Sequence, residues 1–238
     1  MKAVFSAFGQ FIRAIWEDAM LAGCLFMPFV MALVFRYGVP ALEGVLFSSF
    51  GVANALTPYY VLFDLGLSFM TPLMLCFSGV MVVLEELDDG TASYLMGTPL
   101  RRAGYLASRI VILTAISVVY DVALLALFSL SGMGFWLNLI CALCNALVSV
   151  SVAMMVVGFA RNKVEGMALI KLSGFFILGY FAAYFLTPPL AHVAGVLPEY
   201  WLALMVRDGN LLLALPAVAV ALVWIALLFR RFNRRVMG

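Results

Sequence analysis

The sequence predicts an all-α membrane protein of six transmembrane helices. An N-terminal interfacial amphipathic helix precedes them, and a short cytoplasmic helix lies between the second and third spans. Three observations predict this. The 238 residues are 66% hydrophobic and 11% charged, against roughly 45–50% and about 25% in soluble globular domains. Several segments reach or approach the roughly 20 mostly apolar residues that a bilayer core requires. Lys and Arg fall almost wholly on one side of those segments. Length alone would allow one or two soluble domains, but the composition calls for a single membrane domain over residues 19–238, behind a helix at 1–18.

Residues 3–18 space Val4, Phe5, Phe8, Phe11, Ile12, Ile15 and Trp16 along one helical face, with Lys2, Ser6, Gln10, Arg13 and Glu17 on the other. That pattern belongs to a helix lying in the membrane interface. Charges mixed into these residues leave no continuous apolar h-region, so no cleavable leader is expected.

The spans are expected at about 19–37, 59–84, 106–130, 135–160, 166–186 and 211–229. Pro72 predicts a kink or pronounced tilt in the second. Ser129–Gly134 reads as a tight turn between the third and fourth. Thr187-Pro188-Pro189 stops the fifth, and Leu197-Pro198-Glu199-Tyr200-Trp201 sets a turn beside two interfacial aromatics. Short helices or a partly re-entrant loop are therefore expected over 187–210. No internal repeat points to an inverted-repeat transporter.

With both termini inside, twelve basic residues lie on the inner side, and only Arg36 and Arg207 lie outside. This satisfies the positive-inside rule and makes the 85–102 segment cytoplasmic. The tail Arg230-Arg231-Phe232-Asn233-Arg234-Arg235 reads equally as a topology anchor or as a contact for anionic lipid.

Chemistry has few candidates. No lysine follows a glycine as a phosphate-binding P-loop demands, and no Gly-x-Ser-x-Gly or His-Glu-x-x-His motif occurs. Cys24, Cys76, Cys141 and Cys144 sit in apolar runs and read as small buried hydrophobes. The single histidine, His192, stands in a separate loop, which disfavours a metal site. Asp121 lies mid-span, where a charge costs about 2.5–3.5 kcal/mol on insertion scales. It is expected to be protonated or paired within the bundle, with Asn145 or a serine as partner, and to serve either gating and substrate contact or structure. Asp64, near an outer helix end, is expected to be satisfied by water, Tyr59 or Tyr60. Tyr180 and Tyr184 could line a substrate path.

The polar segment between the second and third spans is more organised than a loop requires. Asp88 or Asp89 can end a helix, and Gly90 permits a sharp change of direction. Thr91–Gly97 can form two helical turns, with Tyr94 and Leu95 presenting an apolar surface. Thr98 is a good N-cap with Pro99 at the first helical position after it. A short helix held parallel to the membrane suits docking of a cytoplasmic partner.

Glu85-Glu86-Leu87-Asp88-Asp89-Gly90-Thr91-Ala92-Ser93-Tyr94-Leu95-Met96-Gly97-Thr98-Pro99-Leu100, with Tyr105-Leu106-Ala107-Ser108-Arg109 following, resembles the cytoplasmic signature of ABC exporter permeases of the ABC type-2 family, drug and antibiotic export permeases among them. Asn162-Lys163-Val164-Glu165-Gly166-Met167-Ala168 and Leu197-Pro198-x-Tyr200-Trp201 are similar to one branch of it. The resemblance implies the transmembrane subunit of an exporter, multi-pass in a prokaryotic plasma (inner) membrane and forming a homodimer or pairing with a related permease. It implies a coupling helix whose Glu85, Glu86, Asp89, Gly90, Thr91, Tyr94, Leu95, Thr98 and Pro99 receive an ABC ATP-binding subunit, helped by Arg161, Lys163 and Glu165. ATP and magnesium would enter through that partner, with no cofactor on this chain and no nucleic acid involved. The cargo would be hydrophobic or amphipathic, with Asp121, Asn145 and Tyr180 as path or gating candidates. Ala92-Ser93 stand where many members carry a Leu and an acid, which makes the docking surface smaller and less charged. Two other classes remain at this point: a proton-coupled secondary transporter or channel using Asp121, and an intramembrane enzyme using Asp64, Asp121 or the acid cluster.

Overall fold

The computed structural model describes residues 2–98, 101–187 and 190–237; Pro99 falls outside them. Among the described residues the chain is helical, with no strand. An N-terminal helix, Lys2–Glu17, precedes six helices long and apolar enough to cross a membrane: Ala19–Phe50, Thr57–Asp88, Gly104–Phe128, Phe135–Phe159, Lys163–Phe185 and Leu211–Val236. The second and fourth are the most enclosed. The first and sixth present most of their apolar surface outward, as helices facing lipid do.

The N-terminal helix buries Ala7, Phe11 and Ile15 while Phe5 and Trp16 stay exposed. A soluble helix would hide those two rings; a helix in an interface need not. Asp18 breaks it from the first span by accepting from the Met20 and Leu21 backbone N–H groups at 2.9 and 3.3 Å, satisfying two donors at the new helix start.

Span boundaries depart from the sequence expectation most at three helix ends, those of the first, the second and the sixth, the last running on from 229 to Val236. The first span is expected to end near 37, yet the helix continues through Gly38 and Pro40 to Phe50. A π-helical turn at Val34–Gly38 widens the ladder just where the Pro40 ring would strike the Arg36 carbonyl. The second helix runs past the expected span end at 84 to Asp88, one of the two residues expected to end it, so Glu85 and Glu86 lie in its last turn. Pro72 sits inside it without interrupting it.

The segment expected as short helices or a re-entrant loop contains the helices Leu190–Val193 and Pro198–Asp208, joined by a single tight turn. The longer one lies against the fifth span so closely that a Cβ on Gly179 would come within 2.7 Å of the Tyr200 backbone nitrogen. Gly179 is what permits this approach.

Asp64 is fully enclosed, but by neither Tyr59 nor Tyr60. It accepts from Ser129 Oγ, Leu130 N, Ser131 N and Ser131 Oγ at 2.5–2.8 Å, capping the turn between the third and fourth spans. Tyr60 instead donates to Glu43 at 2.6 Å. Glu43 also accepts from Leu56 N, Thr57 N and Thr57 Oγ1, fastening the first helix to the start of the second. The Arg36 guanidinium donates to the Ser129 carbonyl at 3.0 Å.

Candidate functional site

The acids Glu85, Glu86 and Asp88, the N-terminal helix and the arginines of the sixth helix gather at one end of the bundle, the basic end. Gly90 turns the chain there with φ of +74°, a left-handed conformation that costs glycine little. The helix Thr91–Gly97 follows. Ala92 is fully buried beneath it, Leu95 is half-buried, and Tyr94 stands 75% exposed. Asp89 and Thr91 are exposed beside it. Thr98 ends the short helix in extended backbone. Its hydroxyl donates to the Leu95 carbonyl at 2.6 Å and its own carbonyl accepts from Arg101 N at 3.0 Å.

The base of this helix is fixed by ion pairs. Lys163 Nζ lies 3.0 Å from Glu85 and 3.2 Å from Asp18, joining the fifth helix to the second and to the junction after the N-terminal helix. Glu86 turns inward. It accepts two hydrogen bonds from Arg109 and one from Tyr105 Oη at 2.8 Å. Arg109, buried in the third span, donates its remaining arm to the Ala7 carbonyl at 2.7 Å and lies over the Phe11 and Tyr105 rings. Each of its nitrogens therefore has an acceptor, which a buried guanidinium requires.

The loop before the fifth helix is equally ordered. Asn162 caps it by accepting from Glu165 N at 2.9 Å, and Glu165 accepts from Arg161 N at 2.8 Å. Arg235 donates to the Arg161 carbonyl at 3.0 Å and approaches Asp88 at 3.8 Å. Of the residues the sequence nominated here, Asp89, Thr91 and Tyr94 face outward, whereas Glu86 and Lys163 are occupied within the chain.

The three intramembrane candidates meet in one buried chain of hydrogen bonds. Tyr180 Oη donates to Asn145 Oδ1 at 2.8 Å, Asn145 Nδ2 to Ser68 Oγ at 2.9 Å, and Ser68 Oγ to Asp121 Oδ2 at 2.6 Å. Four spans contribute one residue each, and all four are at most 1% exposed. Asp121 Oδ1 has no partner among the described residues. The serine that sequence reasoning left unnumbered is Ser68, which stands between Asn145 and Asp121. The amide splits the chain as a proton path, because its carbonyl accepts and its NH2 donates without relaying a proton as a hydroxyl would.

Sequence reasoning missed Glu199. It lies in the first turn of Pro198–Asp208, fully buried, with neither carboxylate oxygen hydrogen-bonded among the described residues. Burial pushes its carboxyl well above the ordinary range, and it lies within electrostatic reach of Cys144 and Tyr180. The one available signal was an acid set directly after a Leu-Pro turn. The described residues hold no cluster of three or more His, Cys, Asp or Glu suited to a metal.

Six apolar spans with polar groups drawn into one interior chain and one charged rim define a multi-pass membrane protein. A family model described as "Rv2686c-like: Fluoroquinolones export permease protein Rv2686c-like" matches residues 11–230, and the chain belongs to this family of export permeases. It is similar to the fluoroquinolones export permease proteins MT2760 and Rv2686c of two Mycobacterium tuberculosis strains, CDC 1551 / Oshkosh and ATCC 25618 / H37Rv. Each is 26% identical over 241 residues, covering 97% of this chain and 94% of the relative. No solved structure matches the chain.

Proposed function

We propose that this permease is the membrane half of an ATP-driven exporter, paired with a second copy or a related permease and moved by separate ATP-binding subunits. Both termini lie in the cytoplasm of a prokaryotic cell, where ATP and magnesium act on the partner. Closure of the ATPase pair presses on Glu85–Leu100 and on Arg161–Glu165, and the path between the two permeases opens outward. The cargo is an amphipathic, drug-sized molecule, of which the fluoroquinolones named for the relatives are one class.

The observation that carries this reading is the helix Thr91–Gly97. Its exposed Tyr94 projects from a base joined to the second and fifth helices and to the N-terminal helix through Lys163, Glu85 and Asp18. A push on such an element reaches several spans at once, because rigid, ion-paired contacts transmit displacement. The split at Asn145 weighs against proton coupling through Asp121.

Inverted vesicles holding the chain and its ATP-binding subunit test the proposal through ATP-dependent fluoroquinolone uptake. Removal of Asp89–Thr98 is expected to abolish both uptake and the complex. A complex indifferent to that deletion would overturn the docking assignment. Uptake by the purified chain alone, collapsed by a protonophore, would instead establish the proton-coupled reading.

A further inference from the structure

The sixth helix carries a stripe that the export reading leaves unused. Leu227, Arg230, Arg231, Arg234 and Arg235 follow one another along one face of Leu211–Val236 and, with Gly158, line a groove at the basic end. Their spacing of three and four residues places them one above another on the helix.

The groove is held rigidly. Phe232 and Val236 are buried in the body of the protein. A Cβ on Gly158 would meet the Phe232 backbone nitrogen at 3.2 Å, so the fourth and sixth helices touch backbone to backbone there. Two of the four arginines are used to hold this contact. Arg231 donates to the Gly158 carbonyl at 3.2 Å and lies 4.2 Å from the Phe159 ring centroid; Arg235 is bound to Arg161 and Asp88 as described above.

Arg230 and Arg234 differ. Both are exposed, one helical turn apart, and neither has an acid or a carbonyl partner among the described residues. Two unneutralised guanidiniums side by side attract a phosphate, which they match with paired N–H donors. Directly on the membrane side, Leu227 is 70% exposed and Phe159 45% exposed, and both suit an acyl chain.

We infer that this groove binds the phosphate headgroup of an anionic phospholipid in the leaflet at the basic end, with Arg230 and Arg234 on the phosphate and Leu227 along the chain below it. A lipid is favoured over a protein partner because the charged face runs without a break into the lipid-facing apolar stretch of the same helix. Arginine stems at a span end reach the headgroup level in the same way. The inference rests on the six spans and is independent of ATP coupling and cargo.

The full-length chain, purified in detergent, is titrated with phosphatidylglycerol and with phosphatidylcholine in mixed micelles, and with free inorganic phosphate. Phosphatidylglycerol is expected to bind at least tenfold more tightly than phosphatidylcholine, an anionic-headgroup preference of the size two surface arginines confer. Free phosphate should not compete, since it lacks the chain that Leu227 receives. Arg230→Gln/Arg234→Gln is expected to lose about thirtyfold of that affinity and the single variants about fivefold, whereas Arg13→Gln, at the exposed N-terminal helix, changes nothing. Equal affinity for both lipids in the unmodified chain would overturn the inference even if the double variant failed to fold. So would effective competition by phosphate, or a double variant that binds lipid normally but loses the ATP-binding subunit.

Discussion

Arg109 holds Glu86 through both carboxylate oxygens, from helices that meet only in the folded bundle. The pair is nearly dry: the arginine side chain is 2% exposed and the glutamate 14%. Removing one member of a buried pair strands the other charge, at about 3–5 kcal/mol. Arg109→Ala is therefore expected to lower the thermal unfolding midpoint in detergent sharply and to loosen the N-terminal helix, whose Ala7 carbonyl loses its donor. Limited proteolysis near residues 2–17 reads the second effect. An unchanged midpoint would mean that the pair contributes nothing to the fold.

Tyr94 makes the opposite case. Its ring is exposed and supports nothing inside the chain, so Tyr94→Ala should leave thermal stability within about 0.5 kcal/mol. Affinity for the proposed ATP-binding subunit should fall at least tenfold, as loss of an anchoring interface aromatic costs above about 1 kcal/mol. Co-purification of the two subunits measures it.

For Asp121→Asn, transport is expected to fall by less than tenfold. The amide still accepts from Ser68 through its carbonyl, so the hydrogen-bonded chain survives. Tyr180→Phe should be the more damaging to stability, at about 1–3 kcal/mol, because it leaves Asn145 Oδ1 buried and unpaired. Complete loss of transport in Asp121→Asn with normal folding would restore the proton-coupled reading.

Glu199 gives a pH signature. Its folded value is raised well above the ordinary 4.5 by burial, so the neutral acid is the form that fits. The corresponding stability is fully present below the unfolded value and is lost as pH rises toward the folded one, by about 1.4 kcal/mol for each unit separating the two. The unfolding midpoint should therefore drop from acidic to neutral pH, and Glu199→Gln should flatten that slope and raise the neutral midpoint. A variant with the same slope as the parent would assign the effect elsewhere.

The six spans and the N-terminal helix were legible because hydrophobic runs and helical spacing are properties of local sequence. Their ends were not. The first helix continues past Gly38 and Pro40 through a π-helical turn, and the second carries Glu85-Glu86 in its last turn, where a helix that ends beyond the hydrocarbon tolerates charge. Asp121, Asn145 and Tyr180 could be named individually from the cost of burying polar groups, but their assembly through Ser68 depends on how four helices pack. The inward turn of Glu86 was hidden for the same reason, since its partner Arg109 lies across a helix boundary. Glu199 belongs to no periodic pattern, and only its burial distinguishes it.

At the end away from the basic residues, the carboxylates Glu43 and Asp64 gather one group of helices. With Arg36 they tie those ends of the first four helices to one another, while Arg207 and Trp224 tie the segment between the fifth and sixth helices to both, through the Ala183 and Val196 carbonyls. Away from the basic end, the side-chain hydrogen bond between these groups among the described residues is Tyr180 to Asn145, worth about 1 kcal/mol. The two groups are otherwise joined by close packing: the sixth helix meets the fourth more extensively than any other two helices meet, with Ala217 and Ala221 fully enclosed. Such contact is a sum of many small attractions rather than a few named bonds. One end of the protein is thus riveted by charge, and the other is closed by fit.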